Sequence, residues 1–435
     1  MSDSALGSLL FLLFLFIALA HLLGYLFVRL RQPRVIGEIL AGILLGPSLI
    51  GRLAGLHPPQ LLDLSGLMHQ HDSVLSFIYQ LGLLLLMFIS GIETRHLFGR
   101  NDRKQVGLLV GLGTLIPFLI ALLASPWLPL EKIAGVNGRH TSLVLIIGIG
   151  VSVTSIPVIS RIFYDLKILH TRFARLVLGV AVIEDIWLWA VLAVATALAA
   201  SGFVPKREIA EHVSAAILYF LAGLALAPPL LKRLARARWN VLASFSPAGY
   251  VLLVLFAYSA VAAIFGVSLV FAAFLAGFGV AADSELFAAA LDSIEKVSFA
   301  AFIPIYFALV GYKLDLGRSF SFAMLGIYLA AACLIKVAAV SLGARAAGFR
   351  RLDNFNLSVA MNARGGPGIV LATVAYDAGI VNAAFFTTLV LTAVLTSQAA
   401  GAWLEFVLRK GWPLLSGEDE AAPLPVNSPL DELAA

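Results

Sequence analysis

The stretch "VSVTSIPVIS", residues 151–160, places a proline and several hydroxyl side chains inside an otherwise apolar run. A second run, "MNARGGPGIV" at 361–370, is interrupted in a similar way. The interrupting residues are Thr154, Ser155 and Pro157 in the first run and Arg364, Gly365, Gly366 and Pro367 in the second. Irregular backbone at membrane depth is tolerated only where it is buried in protein or lines a cavity. Two such interruptions therefore predict a pair of broken helices, although either proline alone would also fit a simple kink.

The composition predicts an all-α polytopic membrane protein. Of 435 residues, 60% are hydrophobic and only 13% are charged. A helix needs about 20 apolar residues to cross the hydrocarbon core of a lipid bilayer. Thirteen predicted spans fit this length, beginning near residues 6, 35, 73, 105, 141, 173, 207, 246, 268, 297, 322, 355 and 381.

The basic residues predict the orientation of these spans. Connections after odd-numbered spans carry 21 of the 30 Lys and Arg residues, whereas the opposite connections carry 7. Cytoplasmic loops are the basic ones, so we expect a multi-pass protein of the cell (inner) membrane with the N-terminus outside and the C-terminus in the cytoplasm. The net charge of +5 is explained by these loops, and nucleic-acid binding is not expected.

The two halves of the chain resemble each other in the order of their motifs. "GEILAGILLG" (37–46) resembles "AAFLAGFGVA" (272–281), and "FISGIE" (88–93) resembles "ALVGYK" (308–313). In each half of the chain, the two motifs are followed by one of the interrupted spans. We expect a transmembrane domain at 1–410, made of one repeat at about 6–200, a linker helix at about 207–231 and an inverted repeat at about 246–409. Residues 411–435 are expected to form a disordered cytoplasmic tail. Inverted repeats with broken spans are typical of secondary transporters, whose binding site lies near the midplane.

Two neighbouring acids, Glu184 and Asp185, lie in the sixth predicted span. Asp185 is about twelve residues, or about 18 Å, from its start, which is near the middle of the membrane. An acid at this depth has a high free-energy cost, so a functional role is the first hypothesis for both residues. Glu184 could instead form an ion pair with an internal lysine that has only a structural role. Neighbours on a helix point about 100° apart, so the two carboxylates are expected to face different surroundings.

Other ionisable residues allow both a functional and a structural interpretation. Lys336 is either the counter-charge of Glu184 or a side chain that extends to the cytoplasmic interface. Glu38 fits an ion path or the bracing of a glycine-rich helix, and Glu93 fits an interfacial charge. His69 and His71 are expected, with Asp72, in an external loop, where metal binding or pH sensing is one option and plain solvation another. The chain has no phosphate-binding loop, nucleophile elbow or HExxH motif, so no cofactor and no enzyme activity are expected.

Six motifs together resemble the monovalent cation:proton antiporters, a family of bacterial sodium or potassium/proton exchangers. They are "VIGEILAGILLGPSLIG", "GLLLLMFISGIE", "TSIPVISRIFYDLKIL", "VIEDIWLWAVLA", "IPIYFALVGYKLDL" and "NARGGPGIVLA". The resemblance implies the sodium/proton antiporter fold, a homodimer, and a core domain with two crossed, broken helices that moves like an elevator. It implies that Asp185 is the ion-binding aspartate and that Lys336 pairs with the preceding acid, as in electrogenic members. The chain departs from the family at Glu184, where Asp or Asn is usual, and at Gly366, where many relatives have an acid.

These residues predict exchange of Na+ or K+ for protons at one carboxylate. Asp185 would bind either a proton or the cation, with Thr154, Ser155 and freed carbonyls as further oxygen ligands, because hard oxygen ligands suit alkali cations. One alternative is a sodium-coupled symporter in which Arg364 binds an organic anion. Others are an intramembrane hydrolase that uses Glu184 and Asp185 as an acid pair, and a membrane sensor without transport activity.

Overall fold

The computed structural model describes residues 2–30, 33–46, 64–97, 103–169, 171–200, 206–265, 267–314, 316 and 320–416. For a few residues inside helices, Pro157 among them, only the backbone is described. The helices are α1 (Asp3–Arg29), α2 (Arg34–Leu45), α3 (Leu64–Gln70), α4 (Asp72–Leu97), α5 (Arg103–Gly113), α6 (Leu115–Ala124), α7 (His140–Ser152), α8 (Ile156–Asp165), α9 (Arg172–Ala200), α10 (Lys206–Ala225), α11 (Ala227–Ala235), α12 (Val241–Phe245), α13 (Pro247–Ile264), α14 (Leu269–Val280), α15 (Ser284–Val297), α16 (Ile303–Lys313), α17 (Phe322–Ala346), α18 (Arg351–Ala360), α19 (Gly365–Asp377) and α20 (Ala383–Arg409). A π-helical turn, Ser298–Phe302, joins α15 to α16.

The predicted all-α membrane architecture is confirmed. Within the described ranges, eight helices are long and apolar enough to cross a membrane, or nine if α10 and α11, which meet at a 48° bend, form one span. The count of thirteen stays a prediction, because α2, α7, α8, α14, α18 and α19 are each shorter than a bilayer-crossing helix. The predicted linker helix falls on α10 and α11.

The helices pack into two groups. The first group contains α1, α2, α4 and α13–α16, and the second contains α5–α9 and α17–α20, while α10 contacts both α9 of the second group and α14 of the first. The glycines of the repeated motifs allow very close packing within the first group. A Cβ atom added to Gly42 of α2 would lie 1.7 Å from the Ala308 carbonyl oxygen of α16, and one added to Gly91 of α4 would lie 2.1 Å from the Phe274 carbonyl oxygen of α14. The first group is therefore locked by backbone contacts between the two repeats.

The two broken helices meet inside the second group. Residues 153–155 separate α7 from α8, and residues 361–364 separate α18 from α19. Their backbones are joined where the Ser155 amide donates to the Ala363 carbonyl at 2.7 Å. Pro157 and Pro367 each lie in the first turn of the helix after the break, where a proline leaves no amide hydrogen bond unmade. The predicted crossing of two broken helices is thus confirmed.

Gly365 and Gly366 occupy different environments at this crossing. Gly365 has φ +34°, and an added Cβ would lie 2.3 Å from Cγ2 of Val158. Gly366 is buried, yet an added Cβ would meet no atom within 4 Å. We therefore expect Gly365→Ala to lower the free energy of unfolding by about 1–3 kcal/mol, and Gly366→Ala to change it by less than about 0.5 kcal/mol.

Thermal unfolding of the two purified variants in the same detergent tests this difference, and each variant is the control for the other. Equal apparent melting temperatures for the two would contradict the close approach at Gly365.

The first residues after α20 pack against the second group. Leu414 and Leu415 are buried, and the side-chain amide of Asn356 on α18 donates to the Leu414 carbonyl at 3.1 Å. The amide and hydroxyl of Ser416 both donate to Oδ1 of Asp353, at 2.8 and 2.9 Å. Residues 411–416 of the predicted tail are therefore ordered against α18, and residues 417–435 lie outside the described residues.

Candidate functional site

Helix α9 carries both acids into the interior of the protein. Glu184 and Asp185 are each 0% exposed. Because they are consecutive on a helix, their side chains point about 100° apart and meet different neighbours. One carboxylate is consequently paired and the other is not.

Glu184 is held by a cation and a hydroxyl. The Lys336 ammonium on α17 donates to Oε1 of Glu184 at 2.7 Å, and both side chains are fully buried. The hydroxyl of Thr114, between α5 and α6, donates to the same oxygen. Lys336 also donates to the Ser152 carbonyl at the end of α7. Lys336 therefore points into the protein and does not extend to the interface.

Asp185 has no such partner. Within the described residues, neither Oδ1 nor Oδ2 of Asp185 accepts a hydrogen bond, and Oε2 of Glu184 also has none. An ionised carboxylate that is buried and unpaired is strongly unfavourable, so it needs either a proton or a bound cation. Asp185 therefore has the properties of an exchangeable binding group.

The carbonyl end of α7 is covered by two cations. Arg364 Nε donates to the Gly150 carbonyl at 2.8 Å, and its Nη2 donates to the Val151 carbonyl at 3.2 Å. Lys336 binds the next carbonyl, that of Ser152. A helix C-terminus carries a partial negative charge, which cations stabilise. Arg364 and Lys336 thus neutralise the half-helix end that points at the crossing.

The remaining donors of Arg364 are also occupied. Its Nη1 donates to Oδ1 and to the carbonyl of Asn362, at 2.8 and 3.2 Å, and its Nη2 also donates to the Ala332 carbonyl at 3.0 Å. The side chain is 2% exposed. Arg364 is therefore a brace between α7, α17 and the second break, and its guanidinium is not directed at an acid of the site.

Thr154 and Ser155 lie at the crossing but do not bond to Asp185. The Thr154 hydroxyl donates to the Met361 carbonyl at 2.5 Å, and the Ser155 hydroxyl accepts from the Val158 amide at 3.4 Å. Both residues are fully buried. Their hydroxyl oxygens are near the break and engaged with backbone, so the cation-ligand role expected for them stays a prediction.

Two residues of this region were not expected from the sequence. Thr114 lies in "GLGTLIP", where a glycine–threonine pair interrupts an apolar run, and that interruption was the available signal. Glu93 of α4 has a buried Oε2 without a hydrogen-bond partner among the described residues, and α4 contacts α9, which carries Asp185. Glu93 was expected to be interfacial because it lies near a span end, but its carboxylate points inward.

The histidine pair does not belong to a group of three or more potential metal ligands, and the part of the chain that the structure describes contains no such group. His71 is 4% exposed, and its Nε2 lies 2.7 Å from the Ser8 hydroxyl of α1. His69 lies in the last turn of α3 and is exposed. His71 therefore links α1 to the start of α4 and does not lie in a solvated loop.

These features define a multi-pass helical membrane protein whose ionisable groups converge on two crossed, broken helices. Residues 14–410 match the family model described as the transmembrane sodium/hydrogen exchanger. The chain belongs to the sodium/hydrogen exchanger family. The resemblance inferred from the motifs is thereby confirmed.

Relatives of known name carry the same domain. The chain is 29% identical to K(+)/H(+) antiporter 1 of Saccharomyces cerevisiae over 416 residues, which are 91% of this chain and 46% of the relative. It is 28% identical to Cation/H(+) antiporter 18 of Arabidopsis thaliana over 398 residues, 88% of this chain and 46% of the relative. It is 27% identical to the Na(+)/H(+) antiporter NhaS4 of Synechocystis over 390 residues, which are 88% of this chain and 92% of the relative. The chain thus spans about half the length of the first two relatives and nearly the full length of the third.

The fold is also that of a solved antiporter. The sodium proton antiporter MjNhaP1 from Methanocaldococcus jannaschii superposes with a TM-score of 0.64, at 16% sequence identity, over 93% of this chain and 97% of that one. This similarity establishes the sodium/proton antiporter fold.

Proposed function

We propose that the protein is a secondary active antiporter that exchanges a monovalent cation, Na+ or K+, for protons at Asp185. The observation that carries this proposal is a fully buried carboxylate whose two oxygens have no partner in the described residues, beside the crossing of two broken helices. The family, and the cation/H+ antiporters to which the chain is similar, support the same activity.

Competition at one carboxylate couples the two ions. Removal from water favours the neutral, protonated form of a carboxyl group, whereas a bound cation favours the ionised form. Asp185 therefore holds a proton or an alkali cation but not both tightly. If the site crosses between the two membrane faces only when it is occupied, each cation that moves one way is matched by proton movement the other way. Thr154, Ser155 and the carbonyls of the breaks are the oxygens available to complete the cation's shell.

Glu184 and Lys336 set the charge next to Asp185. Their 2.7 Å ion pair is electrically neutral and places one ammonium and one carboxylate beside the exchanging acid. A bound cation would alter that balance, because Oε2 of Glu184 remains without a partner. The pair therefore adjusts the affinity of Asp185, and dissociation of a proton from Lys336 would supply a second transported charge.

The two helix groups suit an elevator movement. Asp185 and the residues proposed to bind the ion or support its charge lie within the second group, while the first group is held together by close backbone contacts such as that between Gly42 and Ala308. In the proposed cycle the second group moves against the first, which forms the homodimer contact in the inner membrane, with the N-terminus outside and the C-terminus in the cytoplasm.

Purified protein in liposomes with an imposed pH gradient tests this activity. We expect addition of Na+ or K+ outside to dissipate the gradient, and comparison of Na+, K+ and Li+ with and without a clamped voltage gives selectivity and net charge. Protein-free liposomes are the control. Absence of cation-dependent proton movement for all three ions would reject the proposal.

The contacts of Arg364 argue against the symporter alternative. Every nitrogen of its guanidinium already donates to a carbonyl or to Asn362, so a substrate anion would have to displace bonds that hold the crossing together. The hydrolase alternative is disfavoured as well, because Glu184 is engaged with Lys336 while Asp185 is not.

Glu93 is expected to raise the affinity for the cation from the cytoplasmic side. It lies on α4 of the first helix group with a buried Oε2 that has no hydrogen-bond partner among the described residues, and α4 contacts α9, which carries Asp185. A negative charge near the site attracts a cation, so Glu93→Gln should raise the half-saturating cation concentration by about two- to tenfold and leave the maximal rate nearly unchanged.

Initial rates of exchange against cytoplasmic-side cation concentration measure this effect. Asp292→Asn, which removes an acid paired with Lys296 on the exposed surface of α15, is the matched control and should leave both parameters unchanged. An unaltered half-saturating concentration in Glu93→Gln would show that this acid is not on the ion path.

A further inference from the structure

One end of the bundle holds polar side chains that join the two helix groups. Lys313 ends α16 of the first group, and Asp377 ends α19 of the second. Lys313 Nζ lies 2.9 Å from Oδ1 of Asp377, and the hydroxyl of Tyr79 on α4 donates to Oδ2 of Asp377 at 3.1 Å. Both carboxylate oxygens of Asp377 are therefore bound by the first group.

Below this ion pair the contact continues towards the interior. The Lys313 ammonium lies 3.8 Å from the centroid of the Tyr79 ring, which packs against Tyr306 with ring centroids 5.2 Å apart. The Tyr306 hydroxyl donates to the Thr373 hydroxyl of α19 at 3.2 Å. Lys313 and Asp377 are 34% and 38% exposed, Tyr79 is 4% exposed, and Tyr306 and Thr373 are fully buried. The contact thus runs continuously from the surface to the core.

The opposite end of the boundary between the groups has a different character. There Glu93, which lies towards the opposite end of α4 from Tyr79, has a buried Oε2 without a hydrogen-bond partner among the described residues, and α4 contacts α9, which carries Asp185. The two groups are therefore joined by an ion pair at the end with Lys313, whereas towards the other end of α4 the Oε2 atom of Glu93 has no hydrogen-bond partner among the described residues.

We propose that Tyr79, Lys313 and Asp377 form an external latch that closes the outer route to Asp185 and must break in every transport cycle. The inference rests on the proposed antiport, and the end that carries Lys313 is the one the distribution of basic residues assigns to the outside. A partly exposed ion pair is weak enough to break repeatedly, while the tyrosine hydroxyl and the ring beneath the ammonium make its closed geometry specific.

A cysteine beneath the latch reports whether it is open. Thr373→Cys in a Cys333→Ala background leaves a single thiol, since Cys333 is the chain's only cysteine. A membrane-impermeant maleimide is applied to the outer face of right-side-out vesicles and, separately, to inverted vesicles. With the latch intact we expect slow labelling from outside. Lys313→Ala or Asp377→Ala should increase that outside rate by about three- to tenfold.

Restoration of the pair controls for a loosened fold. The charge swap Lys313→Asp with Asp377→Lys should return labelling towards the parental rate, and Tyr79→Phe should give an intermediate rate because it removes one hydrogen bond. Unchanged labelling in both alanine variants, or fast outside labelling of the parent, would overturn the latch. Its failure is separate from that of the proposed function, because labelling reports accessibility, whereas loss of the proposed function appears as absent cation–proton exchange by the unmodified protein.

Discussion

Replacement of Asp185 by Asn is expected to reduce cation-dependent proton movement to the level of protein-free liposomes. The amide keeps the size of the side chain but cannot carry the negative charge that an alkali cation needs, nor the proton that competes with it. Because the aspartate is buried and unpartnered, its ionised form is costly without a bound cation, and the neutral amide never carries that cost. The variant should therefore be at least as stable as the parent while it is inactive.

Proton flux in reconstituted liposomes and thermal unfolding in detergent are measured on the same preparation. Asp292→Asn, on the exposed surface of α15, is the control and should retain exchange. Exchange retained by Asp185→Asn would reject the assignment of this residue, and loss of both exchange and stability would reject the idea that its charge is a burden in the empty protein.

Replacement of Lys336 by Met is expected to destabilise the protein. It leaves the Glu184 carboxylate buried with only the Thr114 hydroxyl as a partner, and it leaves the Ser152 carbonyl without its cation. Removal of one member of a buried ion pair costs about 3–5 kcal/mol. The apparent melting temperature in detergent should fall by several degrees or more at the pH where the parent is most stable.

A second substitution separates charge from packing. The double variant Glu184→Met with Lys336→Met removes both charges, and a buried pair replaced by apolar side chains is often neutral in stability. Its melting temperature should therefore recover most of the loss. If Lys336→Met melts at the parental temperature, or if the double variant is no more stable than the single one, the Glu184–Lys336 ion pair does not stabilise the buried charge of Glu184 as expected.

The sequence predicted those parts of the site that depend on depth and spacing. Glu184, Asp185 and Lys336 are conspicuous because each charge lies far from the nearest loop, and the membrane makes such positions costly. The two breaks could be recognised in the sequence because proline interrupts the hydrogen bonds of a helix and glycine lowers its stability. The structure joins these residues in one group of helices, as expected for a common site.

Other features depend on tertiary geometry that spacing does not encode. Arg364 was recognised as unusual, but its partners are backbone carbonyls at the end of α7. A sequence pattern of side chains cannot predict hydrogen bonds to backbone carbonyls. Thr114 binds Glu184 only because a turn between α5 and α6 directs it inward. Glu93 was assigned to the interface from its place near a span end, whereas its Oε2 is buried without a hydrogen-bond partner among the described residues.

The attachment of residues 413–416 to α18 connects the segment that follows α20 directly to the crossing. Ser416 is bound to Asp353 in the first turn of α18, and the opposite end of this ten-residue helix presents the Met361 carbonyl to Thr154. A helix of this length spans only about 15 Å. A force applied at Ser416 would therefore be transmitted along the single helix α18 to the break that contains Thr154, with no loop in between.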